Sequence, residues 1–324
     1  MRFRTPVNID AADSRYGHQD KFVCLGSCFA TEIGSRLQRS LFECTTNPLG
    51  NLFNPIAIGE TLRRSVQGRP FEADEFFQHQ ELWRHFLVHS SLARKDRDES
   101  VNVANNCLLA LQLSLKKCGL LILTLGSAWI YEKKGDRRTI GHNHKLPHSI
   151  FKKRRLSPAE ITQDLRSSIT SARETNQSLK VCISVSPVRH ARDGLHENNL
   201  SKSSLLIATE ELTGSLPHCS YFPAYDILLD ELRDYRFYAE DLVHPSNLAI
   251  NFIWEKFSQA YFSDPCKIQL AEIEAIRGML DHRAQHTDTT SYQTFKSSIL
   301  KRIDELSQSL PQATHLKKQW SQLP

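Results

Sequence analysis

The chain has 324 residues, enough for one large domain or for a domain with additions, and its 40% hydrophobic and 24% charged residues are ordinary for a globular protein. Its 41 basic and 36 acidic residues leave a net charge of +5, too small an excess to argue for a nucleic-acid partner. No stretch approaches the ~18 apolar residues of a membrane span, and residues 1–20 hold no apolar signal core, so a cytoplasmic location with reduced thiols is the expectation.

The first apolar run, 21–25, reads as a strand and leads directly into Gly26-Ser27-Cys28-Phe29-Ala30. Phe29, Ile33, Leu37 and Leu41 then recur every fourth residue, the face of a helix. A glycine at a strand-to-helix turn lets the backbone bend sharply and lifts the next side chains out of the sheet. The helix directs its first amides and positive dipole end at them, so a thiol there is expected to ionise readily. The run reads as a nucleophile turn, with Ser27 and Cys28 as the two candidates. Eight cysteines are scattered along the chain without a C-x-x-C pair, which argues against a zinc ribbon or a thioredoxin-type motif. Cys24, Cys118 and Cys182 lie in or beside strand runs and read as small buried apolar residues.

The second strand, 41–45, is followed by Asn47-Pro48-Leu49-Gly50-Asn51. Residues 51–118 form a long insertion with helices predicted over 52–64 and 101–117, either a cap over the sheet edge or a surface excursion. Its Trp83, His85 and His89 could line a cap. The third strand, 120–125, ends in Gly126-Ser127, and a polar insertion over 131–157 follows. That insertion holds His142-Asn143-His144-Lys145-Leu146-Pro147-His148, three histidines with no local carboxylate or cysteine, so a substrate loop fits better than a metal site. Its basic run, 152–155, reads as a solvated face that could also help bind a phosphate-bearing donor. The fourth strand, 181–185, runs into Ser186-Pro187-Val188-Arg189-His190, and a fifth covers 220–222. Arg189 offers a planar fork of donors to an anionic or hydroxylated substrate, or anchors its loop by a salt bridge.

Asp241-Leu242-Val243-His244-Pro245 comes next, with Pro245 expected in the first turn of the helix patterned over 249–261. Asp241 can then hold one imidazole nitrogen of His244 and leave the other to accept a proton. Beyond Cys266 two amphipathic helices are predicted over 268–283 and 291–310, joined by a linker at 286–290. This tail packs on the body or pairs with a second copy. Strands alternating with helices predict an α/β protein with a mostly parallel sheet covered on both faces. The four unusual segments then all lie beyond the carboxyl ends of strands, where such sheets build their sites.

Taken in order, G-S-C-F-A (26–30), N-P-L-G-N-L-F-N-P (47–55), L-T-L-G-S-A-W-I-Y (123–131), H-K-L-P (144–147), S-V-S-P-V-R-H (184–190), Y-F-P-A-Y-D (221–226), L-R-D-Y-R-F-Y (232–238) and D-L-V-H-P-S (241–246) resemble the GSCFA family, within the SGNH/GDSL hydrolase superfamily. The resemblance spans about residues 20–262, and nothing recognisable covers the tail. It implies a three-layer α/β/α sandwich, flavodoxin-like, occupying 1–265, with a helical C-terminal extension over 266–324. It also implies acyl transfer or acyl-ester hydrolysis.

In the superfamily the turn reads Gly-Asp-Ser and its third residue attacks; the third position here is Cys28, and Ser27 takes the aspartate position. A related capsule-polysaccharide acetyltransferase family also carries cysteine third. The resemblance therefore implies Cys28 as nucleophile, His244 as base and Asp241 as its support. The implied oxyanion donors are the amides of Cys28 and Gly50 and an asparagine side chain, but the asparagine position holds Ala128. Ser127, Asn143 and His144 are the nearest substitutes. His144, Lys145, Arg189 and His190 are the expected substrate-binding residues. No cofactor or metal is expected; the donor would be acyl-CoA or a carrier-bound acyl group, and the acceptor a small molecule or glycan. Two rival readings remain: a serine esterase using Ser27, and a non-catalytic carbohydrate-binding module on the same fold.

Overall fold

The computed structural model describes residues 4–135, 139–281 and 289–320. Strand β1 (Lys21–Gly26) leads into α1 (Cys28–Arg39), β2 (Glu43–Thr46), α2 (Pro55–Val66), the short hairpin β3 (Phe77–His79) and β4 (Leu82–Arg84), then α3 (Arg97–Leu115) and β5 (Leu120–Leu125). A small antiparallel sheet follows, from β6 (Trp129–Lys133), β7 (Thr139–Ile140) and β8 (Phe151–Arg155). The chain continues through α4 (Pro158–Thr175), β9 (Lys180–Val185), α5 (Leu195–Ser215), β10 (Cys219–Tyr221), the single turn α6 (Ala224–Asp226) and α7 (Asn247–Tyr261). It ends in α8 (Asp264–Leu280), α9 (Thr290–Ser309) and α10 (Thr314–Trp320).

Five strands make one parallel sheet in the order β10-β9-β5-β1-β2. Every residue of β5 is buried, as a central strand covered on both faces requires. The inward residues of α2, α3, α4 and α5 fill one face, and those of α1 and α7 fill the other. The chain order reverses between β1 and β5, so the crevice beyond their carboxyl ends is the expected ligand position of a doubly wound sheet.

Four local expectations are corrected. Leu41 does not extend the α1 face: the helix ends at Arg39, Leu41 adopts φ 65°, and the second strand starts only at Glu43. The helix predicted from 52 starts at Pro55, because Asn54 caps it by accepting the Ala57 amide. The insertion is neither a plain cap nor an excursion. Its helices α2 and α3 join the helical layer, while His89 returns to the loop after β2 and donates its amide to the Leu49 carbonyl at 2.8 Å. Pro245 lies before α7, whose N-cap is Ser246, and is held in a bridge opposite Tyr238.

The tail builds its own small core from Ile273, Ile276, Ile299, Ile303, Leu306 and their neighbours, with Leu41 packed against it. The linker expected at 286–290 lies largely outside the described residues, as does the predicted helix end at 282–283. Among the described residues no helix is long and apolar enough to cross a membrane.

Candidate active site

The turn at the end of β1 depends on Gly26. Its φ is +133°, and a Cβ there would meet the Thr124 carbonyl oxygen at 2.1 Å. The Gly26 amide donates to Asn47 Oδ1 at 2.9 Å, which locks the turn to the loop after β2. Ser27 caps α1. It is buried, its amide donates to the Thr124 carbonyl at 3.0 Å, and its hydroxyl lies 3.0 Å from Thr124 Oγ1 and accepts the Phe29 amide at 3.3 Å.

Cys28 is the first helical residue and is partly exposed. The amides of Cys28 and Phe29 hydrogen-bond to its thiol and favour the thiolate, as does the charge of Lys202. Burial is the stronger influence, and it pushes the thiol up overall. The ready ionisation expected from the helix end alone is thus opposed by desolvation.

The loop after β2 contributes a side-chain clamp. Asn51 Oδ1 accepts from Thr31 Oγ1 at 2.7 Å and from Asn47 Nδ2 at 2.8 Å. Thr31 sits three residues after Cys28, on the same face of α1. The clamp fixes the Asn51 carboxamide beside the thiol's helix turn. Gly50 has φ +94°, and its amide donates to the Asn47 carbonyl at 2.8 Å, so this expected oxyanion donor is engaged within its own turn.

Beyond β5, the Gly126 and Ser127 amides both donate to the Phe53 carbonyl at 2.9 Å. The Ser127 hydroxyl accepts the Trp129 amide and lies 3.3 Å from Ser201 Oγ, and the Ala128 amide donates to Ser201 Oγ at 2.8 Å. Ser127 is therefore committed to holding its own turn.

Asp241 and His244 meet as expected. His244 Nδ1 is 2.6 Å from Asp241 Oδ2, and Asp241 Oδ1 accepts the amides of Val243 and His244. The amide and ring hydrogen bonds from His244 hold the Asp241 carboxyl down at about 2. The pair is half exposed, at 50% and 51% of the side-chain surface. Its loop is braced by the Tyr238–Pro245 bridge and by the Arg189 amide, which donates to the Val243 carbonyl at 3.2 Å. The Arg189 guanidinium stacks over the Tyr238 ring at 5.4 Å, so Arg189 supports the histidine loop. Cys28 and His244 are not hydrogen-bonded to each other. Burial pushes the His190 ring down to about 4, with Lys202 and His244 adding to the effect.

His144 is buried, and its Nε2–H donates to the His85 carbonyl at 2.9 Å. Burial holds His144 at about 4 and His142 at about 3. The Nδ1 of His144 and the Nε2 of His142 are both buried and have no hydrogen-bond partner among the described residues. Asn143 Oδ1 accepts the Lys145 amide at 3.3 Å in a turn where His144 and Lys145 both have positive φ, and Lys145 is exposed. Among the described residues no group of three or more histidine, cysteine or acidic side chains is arranged to hold a metal ion.

Sequence reasoning missed three participants: Thr124, Asn51 and Lys202. Thr124 is the one polar residue in an otherwise apolar β5. Asn51 falls in the 47–55 run, where no local pattern sets it apart from Asn47 and Asn54. Lys202 lies on the inward stripe of α5, with Asn198, Ser201, Leu205, Ala208 and Leu212, and that period could have flagged it.

A sequence model of the GSCFA family matches residues 21–257, and one described as the GSCFA domain protein, C-terminal domain, matches residues 273–322, so the tail that carries no legible motif has a family match of its own. No curated protein matches the chain.

Proposed function

The chain belongs to the GSCFA family, and from that premise we propose that it is an acyl-transfer enzyme of SGNH type with Cys28 as its nucleophile. The observation that carries this reading is the placement of Cys28. It is the partly exposed first residue of α1, at the switch point of the sheet, with two helix amides on its thiol. Ser27 is buried and tied to Thr124, which supports Cys28 over a serine esterase.

In the proposed reaction the Cys28 thiolate attacks the carbonyl carbon of an acyl thioester or ester. The C–S bond forms, and the leaving thiol or alcohol departs with a proton from His244. A hydroxyl, an amine or water then attacks the acyl-cysteine, gives its proton to His244, and restores the thiolate. Asp241 keeps the His244 ring in one tautomer. Contact between His244 and the thiol forms once substrate fills the crevice, since such bonds tighten on binding. The oxyanion is held by the Cys28 amide and, replacing the asparagine lost at Ala128, by the carboxamide of Asn51. Acyl-CoA or a carrier-bound acyl group is the proposed donor, and a small molecule or glycan the acceptor.

The test is turnover of a chromogenic acyl thioester by the wild type, Cys28→Ala and His244→Ala. Turnover in the wild type alone supports the reading, and full turnover in Cys28→Ala contradicts it. A binding module on this fold is favoured by the missing asparagine at Ala128; it predicts glycan binding with no turnover in any variant.

A further inference from the structure

Lys202 is 1% exposed, one of the largest fully buried side chains of the protein. Its Nζ donates to the carbonyls of Gly126 and Ser186, each at 2.7 Å, and lies 5.7 Å from the centroid of the Tyr225 ring. Those carbonyls directly follow β5 and β9, where the strands emerge into the crevice. No carboxylate among the described residues forms an ion pair with it. A buried ammonium without a counter-ion is costly and tends to lose its proton. Burial accordingly pulls Lys202 down to about 7.

The sheet register puts the strand ends that hold the ammonium beside the turn that carries Cys28. Gly26 is opposite Thr124, and Leu125 is opposite Val185. Gly126 and Ser186 are the next residues on their strands, and Cys28 is two residues beyond Gly26. The three strand ends therefore bring Lys202 and Cys28 to the same crevice. Each feels the other's charge, and the thiolate raises the lysine as the ammonium lowers the thiol.

We propose that Lys202 is the buried counter-cation of the Cys28 thiolate, a positioning residue that offsets part of the cost of ionising the buried thiol while His244 handles the protons of donor and acceptor. The proposal rests on Cys28 being the nucleophile, as argued above. It accounts for the buried cation, which becomes paired once the thiol ionises. The other charged and titratable groups around the pair are Glu32 on α1, which opposes the thiolate, Tyr225 after β10, and His190, which itself faces His244 and Asp193.

The test is the pH profile of iodoacetamide alkylation at Cys28, followed by peptide mapping to separate it from the other seven cysteines. It is run on the wild type, Lys202→Met, Lys202→Gln and Lys202→Arg. Loss of the positive charge raises the thiol, so the Met and Gln variants should react with profiles about one pH unit or more higher. That is roughly tenfold slower at pH 7. Lys202→Arg keeps the charge and should recover most of the rate. A wild-type profile in either neutral variant, with a cooperative melt showing that it is folded, overturns the proposal. Equal slowing in all three variants also overturns it, since that would mark Lys202 as a packing residue. Alkylation needs no acyl donor, so this result stands apart from whether acyl transfer is observed.

Discussion

Ser27 Oγ lies 3.0 Å from Thr124 Oγ1, and both residues are buried at the junction of β1 and β5. The pair joins the nucleophile turn to the central strand and leaves the next residue, Cys28, facing the crevice. Ser27→Ala should cost about 1 kcal/mol of stability through the lost N-cap. It should leave Cys28 acylation within a fewfold of the wild type. Chemical denaturation and single-turnover acylation read the two effects separately, and loss of acylation in a fully folded variant would return Ser27 to the chemistry.

The Asp241–His244 pair is half exposed, so it should matter to rate far more than to stability. His244→Ala is expected to lower turnover by about 10²–10⁴-fold, the usual contribution of a general acid–base group. Asp241→Asn should fall in the same direction, because the carboxylate also fixes the loop through the Val243 and His244 amides. Both variants should melt close to the wild type.

Asn51 supplies a sharper test of the oxyanion assignment. Its Oδ1 is held by Thr31 and Asn47, so its amide orientation is set before substrate arrives. Asn51→Ala should slow acylation by about 10²–10³-fold, the scale for losing one such donor. Ser127→Ala should disturb its turn with Ser201 and Trp129 and change the acylation rate little. The reverse pattern in single-turnover kinetics would move the donor to Ser127.

Stability should fall as pH drops below about 6.5. His142, His144 and His190 are held by burial at about 3, about 4 and about 4. Each folded-state value lies below the unfolded one, so between roughly pH 4 and 6.5 the unfolded chain binds protons that the folded chain does not. Stability therefore rises with pH across that window, by up to about 1.4 kcal/mol per pH unit for each histidine. Urea titrations from pH 4 to pH 7 should show it, and His142→Asn with His144→Asn should flatten the slope. An equally steep slope in the double variant would assign the acid sensitivity elsewhere.

Gly50 binds two segments together. With φ +94° and a Cβ position only 2.2 Å from His89 Cβ, Gly50→Ala should cost at least about 1–3 kcal/mol. A melting temperature within a degree of the wild type would contradict this packing.

What could be read from the chain follows how local each cause is. The turn at 26–28, the buried strands and the Asp241–His244 contact depend on neighbours in sequence, and they were legible as glycine placement, apolar runs and a three-residue spacing. Leu41 fits the helical period, yet Ser40 ends the helix and Leu41 turns to the tail core, a partner more than 200 residues away. Pro245 suited a helix start, but its bridge to Tyr238 keeps it outside, and Ser246 caps instead. Gly50 is legible as a turn residue, but the bond of its amide to the Asn47 carbonyl is set by the folded turn and leaves no mark on the sequence pattern. Lys202 was missed because a lone lysine in a helix normally faces water, and here the facing carbonyls belong to two distant strands.

The central claim is that an acyl group passes through Cys28. Its most direct measurement is intact-mass spectrometry of the wild type, Ser27→Ala and Cys28→Ala after brief exposure to an activated acyl ester or acyl-CoA. One acyl adduct should appear on the wild type and on Ser27→Ala, map to Cys28, and be absent from Cys28→Ala. An adduct that persists in Cys28→Ala and disappears in Ser27→Ala would contradict the account.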